Sequence, residues 1–184
     1  VRASQLFSSK MVFELIEDVY HCNYADLPFT DVFWNLRSMY VPLFSLLLQV
    51  YPSADIYHSV STGYAGIIAA YASHIHGSGF VLTEHGIYTR EREEEIIKSK
   101  WLKGSFKSSW INYFNCLSSA AYACTDQVVS LFQRNKEIQQ ELGCDAHKIR
   151  VIHNGVRAED FEPIRRNVAE RTNTQDINVG AVVR

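Results

Sequence analysis

The sequence lacks most of the features that would tie it to an oxidising compartment, a membrane or a nucleic acid. Its four cysteines, Cys22, Cys116, Cys124 and Cys144, include no C-x-x-C pair and follow no signal-like segment, so reduced, packed thiols are expected rather than a disulfide framework. The longest apolar stretch, Val41 to Val50, is about half of the roughly 20 residues that a membrane span needs, and Gln49 interrupts it. A formal net charge of −2 leaves no basic footprint, which argues against nucleic acid as a partner. No G-x-G-x-x-G follows a predicted strand, which argues against a dinucleotide-dependent oxidoreductase. The His74-x-His76 pair has no third ligand nearby, so no metal is expected. A soluble, cytoplasmic protein is the expectation. The chain begins at Val1 rather than a methionine and stops at Arg184 inside an apolar run, so both ends are expected to be truncations.

What is present alternates strands with helices. Ser4 to His21 and Phe29 to Tyr51 carry apolar residues at three- and four-residue steps, and Pro42 is expected to kink or split the second helix. Asp55–Val60, Phe80–Thr83, Asp126–Leu131 and Lys148–Ile152 have the β-branched and aromatic content of short buried strands. Between them the spacing predicts helices over Ile67–His76, Glu91–Lys98 with Thr89 as its cap, Phe106–Tyr122, and Phe132–Leu142 ended by Gly143. This βαβαβαβ order predicts an α/β fold, a Rossmann-like parallel sheet with right-handed crossovers and helices on both faces. Glu162 to Asp176 is polar and resembles a linker, after which Ile177–Val183 restarts an apolar strand. Residues 1–162 are therefore assigned to one domain, and 163–184 to a linker and the start of a second.

In open α/β sheets ligands bind outside the carboxyl ends of the strands. That rule singles out Glu84, His85, Tyr88 and Arg90 after the second strand, His58 near the end of the first, and the turn Ser61-Thr62-Gly63-Tyr64-Ala65-Gly66. Gly63 and its neighbours could aim backbone N–H groups and a helix N-terminus at an anion, or could serve turn geometry alone. The guanidinium groups of Arg90 and Arg92 suit phosphate or carboxylate. His58 and His85 are either ligand-facing or ordinary turn histidines.

The segments Asp55–Gly66 (DIYHSVSTGYAG), Leu82–Glu95 (LTEHGIYTREREEE), Trp101–Phe106, Ser130-Leu131-Phe132 with Asn135, and Val151–Val156 with Phe161 together resemble the PelF-type glycosyltransferases. These are retaining enzymes of the GT-B fold, with two facing Rossmann-like domains. The resemblance implies a fragment comprising the acceptor-side domain of a hexosyltransferase, inactive alone. It would use a nucleotide sugar, with UDP-glucose the expected donor, and a polysaccharide or glycan acceptor, as in exopolysaccharide biosynthesis. It further implies His85 as the catalytic group beside the donor sugar and Arg184 as the residue gripping the donor diphosphate. Glu84, Tyr88, Arg90, His58 and Gly63 would then lie on the substrate-binding side. No cofactor beyond the donor is implied, and membrane polysaccharide-export proteins are candidate partners. This chain departs from the family pattern in having His153 where a proline usually precedes Asn154-Gly155, and Val183 where a glycine usually precedes the arginine. A competing expectation is a non-catalytic Rossmann-like module of a polysaccharide assembly complex, docking through Phe29 to Tyr51.

Overall fold

The four predicted strands form one parallel sheet in the computed structural model, which describes residues 3–155 and 157–161. The strands are β1 (Ile56–Ser59), β2 (Gly79–Glu84), β3 (Gln127–Ser130) and β4 (Ile149–Val151), side by side in the order β1-β2-β3-β4. Parallel neighbours cannot be joined by a tight turn, so each pair requires a crossover. Helix α4 (Gly63–His76) joins β1 to β2, α5 (Tyr88–Lys98) and α6 (Gly104–Cys124) join β2 to β3, and α7 (Gln133–Glu141) joins β3 to β4. Three helices precede the sheet: α1 (Ala3–Leu6), α2 (Lys10–Asn23) and α3 (Phe29–Leu47). The predicted Rossmann-like parallel sheet flanked by helices is the observed fold class.

The register decides which side chains meet. Tyr57 pairs with Phe80, Leu82 with Val128, and Val128 with Ile149, so these residues share a face. On that face Phe80, Leu82, Val128 and Ile149 pack with Ala69 and Ala70 of α4, Tyr122 of α6, and Cys144 beyond α7. Among the described residues helices cover one face only, where helices on both faces were expected. Crossovers of one hand that always step to the next strand in one direction bring every connecting helix to the same side; covering the other side requires the strand order to reverse. On the opposite face Ile56 and His58 are exposed, and Val81, Thr83 and Val129 are only partly covered by the described residues.

A second apolar layer lies outside the first. Val32 and Met39 of α3, Ile96 of α5, and Phe106, Tyr113, Phe114 and Leu117 of α6 form it, with Leu36 and Leu43 packed against them. Helix α3 is continuous through Pro42, so of the expected kink or split the split does not occur. A proline inside a helix removes a hydrogen bond and costs about 3 kcal/mol, and the burial of Met39 together with the packing of Leu43 opposes that cost. Only Cys144 is a packed thiol; Cys22, Cys116 and Cys124 are exposed, which corrects the expectation of four packed thiols.

The chain divides into two units, Val1–His153 and Asn154–Arg184. Of the second, the described part includes a short 3-10 turn, Ala158–Phe161. The predicted linker, the strand Ile177–Val183 and Arg184 lie outside the described residues. Among the described residues no helix is long and apolar enough to cross a membrane.

Helices α4 and α6 approach so closely that a Cβ added at Gly66 would lie 2.9 Å from the Cβ of Ala121. Replacing Gly66 with valine should therefore lower the unfolding free energy by about 1–3 kcal/mol. Urea denaturation followed by far-UV circular dichroism measures this, and a wild-type midpoint would show that the close approach is not a packing constraint.

Candidate functional site

Glu84 ends β2 and is 1% exposed. Its carboxylate accepts four hydrogen bonds. Oε1 takes one from Thr62 Oγ1 at 3.3 Å and one from the Tyr88 backbone N–H at 3.2 Å. Oε2 takes one from Tyr122 OH at 2.6 Å and one from Gln139 Nε2 at 2.9 Å. A carboxylate has about four lone-pair sites, so all of them are used within the protein. Ser118 Oγ donates in turn to Thr62 Oγ1 at 2.8 Å. The sequence placed Glu84 at the edge of the ligand crevice, whereas the structure places it in the interior, where it joins the end of β2 to the N-terminus of α4 and to α5, α6 and α7.

This arrangement explains how α5 begins. The expected cap, Thr89, is a buried helical residue whose Oγ1 has no hydrogen-bond partner. The first N–H of the helix is satisfied by Glu84 instead, and a negative group is favoured at a helix N-terminus. Burial, reinforced by the Glu84 charge and by the hydrogen bond to it, raises the Tyr122 hydroxyl pKa far above the ordinary tyrosine value. Cys144 nearby is pushed up to about 11, first by burial, with Glu84 and Asp145 adding to the rise and Lys148 opposing it.

Gly63 and Tyr88 pack on each other. Gly63 has φ 66°, and a Cβ there would sit 2.4 Å from the Tyr88 ring. Both constraints require glycine. The turn counted as a loop in the sequence is the first turn of α4, which starts at Gly63 rather than Ile67. The half-buried Tyr88 ring also meets Phe114 edge-on at 5.9 Å and lies under the Arg92 guanidinium at 5.4 Å. Burial is the main cause of its raised hydroxyl pKa, which the Arg92 charge partly offsets. Arg92 is further committed to Glu95 at 3.0 Å. Arg90, three residues into α5, is exposed and makes no ion pair among the described residues, so its guanidinium is available to a ligand.

His85 follows the buried Glu84 and is itself exposed. Its backbone is held from both sides: Ile87 is buried, and Asn135 Nδ2 of α7 donates to the His85 carbonyl at 3.5 Å. The register pairs Glu84 with Ser130 and Ser130 with Val151, so the residues just beyond them form a row along the carboxyl edge. His85, Leu131 and Ile152 make up that row, and one residue further along β3 and β4 stand Phe132, which is 53% exposed, and His153, with ring centroids 6.4 Å apart. His58 does not belong to it. It pairs with Val81, four residues before His85, which places it about 13 Å back along the strands at roughly 3.3 Å per residue. It lies on the open face of the sheet, with Nε2 2.9 Å from Thr83 Oγ1. The two histidines are therefore not at equivalent strand ends. Arg184 lies outside the described residues.

Residues 1–147 match a family model described as a domain of unknown function, DUF3492. The match spans 147 of the 184 residues. The chain belongs to the DUF3492 family. Comparison with curated proteins returned no match.

In this DUF3492 chain the family match takes in β1 to β3, all seven described α-helices and the whole Glu84 cluster, but stops short of β4 and His153. Sequence reasoning missed Tyr122 and Gln139 as members of the cluster. Tyr122 ends an apolar stripe and reads as core, and Gln139 belongs to a polar helix yet is fully buried. Phe132 was legible only as a helix start and part of a family signature, and His153 only as a turn residue. Among the described residues no group of three or more His, Cys, Asp or Glu side chains could hold a metal ion.

Removing one partner of a buried charge leaves the other polar groups unpaired. Tyr122→Phe should therefore cost about 1.5–3 kcal/mol, the range for a hydrogen bond to a charged group. Glu84→Ala, which strands four donors, should cost about 3–5 kcal/mol. Chemical denaturation of the three proteins measures both; a Glu84→Ala midpoint equal to wild type would mean that the cluster contributes no stability.

Proposed function

We propose that this DUF3492 chain is the acceptor-side domain of a PelF-type retaining glycosyltransferase, which moves a hexose from a nucleotide sugar, UDP-glucose in the first instance, to a glycan acceptor. The observation that carries this reading is His85. It is an exposed imidazole at the carboxyl end of a central parallel strand, on backbone fixed by the fully hydrogen-bonded carboxylate beside it.

The chemistry suits that placement. In retaining transfer the bond from the anomeric carbon to the diphosphate breaks while the acceptor hydroxyl adds on the same side, and its proton passes to the departing phosphate oxygen. Positive charge develops on the sugar and negative charge on the diphosphate. A polar group held rigidly beside the sugar lowers the cost of that separation, because it need not reorganise during the reaction. His85 would hydrogen-bond the donor sugar rather than attack it. Arg90 is free to meet phosphate, and Arg184 would grip the diphosphate by the resemblance already described. In this reading Tyr88 and Gly63 act through packing beneath the site, and Glu84 acts by holding the backbone before His85.

A second reading, a non-catalytic interaction module, is favoured by the exposed apolar side chains Ile56 and Val60 at the uncovered side of the sheet.

Release of UDP from UDP-glucose by the full-length protein in the presence of a glycan acceptor separates the two. His85→Ala should lower turnover by about 10²- to 10³-fold, as loss of one preorganised electrostatic group does, with unchanged circular dichroism and unfolding midpoint. Undiminished turnover removes His85 from the reaction. Absence of release from UDP-glucose and from other nucleotide sugars by the wild type favours the interaction module.

A further inference from the structure

All three tryptophans of the chain line one groove, about 210 Å³ in volume, between α3 and the segment linking α5 to α6. Trp34 is 58% exposed and Trp101 73%. Trp110 forms the floor, with its Nε1 donating to Asn35 Oδ1 at 2.8 Å. Trp101 meets Trp110 edge to face, with ring centroids 6.2 Å apart. Trp34 is braced by the edge of Phe33 at 5.5 Å and by the Arg37 guanidinium 5.2 Å from its ring centroid. Two large aromatic plates are thus held in position while remaining open to solvent.

The polar groups of the groove narrow the choice of ligand. Among the residues that line the groove Lys103 pairs with Asp31, so their charges balance, and Arg37, which braces Trp34, does not line it. Ser38 Oγ donates to the Trp34 carbonyl at 2.7 Å and keeps its lone pairs free. The indole N–H groups of Trp34 and Trp101 make no hydrogen bond among the described residues. An apolar helix laid over this groove would bury an ion pair and two unpaired donors, each at a cost. A phosphate or uronate in the groove would find the one cation that lines it, Lys103, already neutralised by Asp31.

We propose that the groove binds a neutral saccharide, with one pyranose unit lying across Trp34 and Trp101. A pyranose has an apolar C–H face that stacks on an aromatic ring and a rim of hydroxyls that both donate and accept. The groove offers both: indole faces, the indole and ammonium donors, and the Ser38 and Asp31 acceptors. It shares no residue with the carboxyl-edge site, so the inference stands independently of the transferase reading. Within that reading it is a remote anchor for a growing glycan.

Intrinsic fluorescence tests this directly, since the groove holds every tryptophan. The full chain is titrated with cellopentaose, maltopentaose and mannopentaose, and with penta-galacturonic acid as the charged comparison. A saturable change in emission is expected with at least one neutral pentasaccharide and none with the uronate. Calorimetry on Trp34→Ala and Trp101→Ala, checked for native circular dichroism, should show binding weakened by about tenfold in each. The proposal is overturned if none of the neutral probes changes the emission, if the uronate binds more tightly, or if both variants bind as wild type. An emission shift that tracks protein concentration without sugar, with dimer seen by sedimentation, would assign the groove to a second copy and equally overturn it.

Discussion

A single buried carboxylate holds the carboxyl edge of this sheet together, with no cation against it among the described residues. Glu84 lies at the end of β2, and Thr62, Tyr88, Tyr122 and Gln139 converge on it from four other elements. An isolated carboxylate in an apolar interior is strongly disfavoured, and four donors are what make this one tolerable. The positions of α4 and α5 at their N-termini, and of α6 and α7 along their lengths, are all constrained by the same two oxygens.

What the carboxylate stabilises is the residue after it. His85 cannot shift along the strand without moving Glu84, and it cannot turn inward because the interior beside it is already filled by Ile87 and the cluster. The chain therefore spends its buried polar contacts on fixing backbone and presents the imidazole to the outside. The same division holds at Gly63 and Tyr88, whose packing leaves Arg90, two residues further along α5, exposed and without an ion pair among the described residues. Residues in one short motif thus serve different layers of the structure: Glu84 and Tyr88 face inward, His85 and Arg90 outward.

The fold was largely legible in the residues. Each strand is a short β-branched or aromatic run, and the helices between strands follow from three- and four-residue spacing, so a parallel sheet was the natural solution. The number of covered faces was not legible, because strand order depends on which edges meet and no local pattern records it. At the site, the location of His85 followed from its place at a strand end, but Glu84 was misplaced because a carboxylate beside His-Gly reads as surface, the usual place for charge. Its partners at positions 62, 122 and 139 lie far apart in sequence, and only assembly brings them together. His58 was set at the wrong level because the strand end was judged from composition, whereas the register counts from Val81. Helix α3 continues through Pro42 for a related reason: tertiary burial around Met39 outweighs a local preference.

The spread of those partners along the chain has a consequence for how the protein assembles. The sheet itself grows by adding neighbours in sequence order, with each βα unit laid beside the last, which is topologically simple. Glu84 is different, since its last donor, Gln139, is delivered by a helix formed some way downstream of β2. Until α7 arrives the carboxylate must either keep water at the end of the sheet or sit in the interior with an empty lone pair. Closure of that edge, and with it the fixing of His85, is therefore coupled to completion of the array rather than to formation of the strand that carries the histidine.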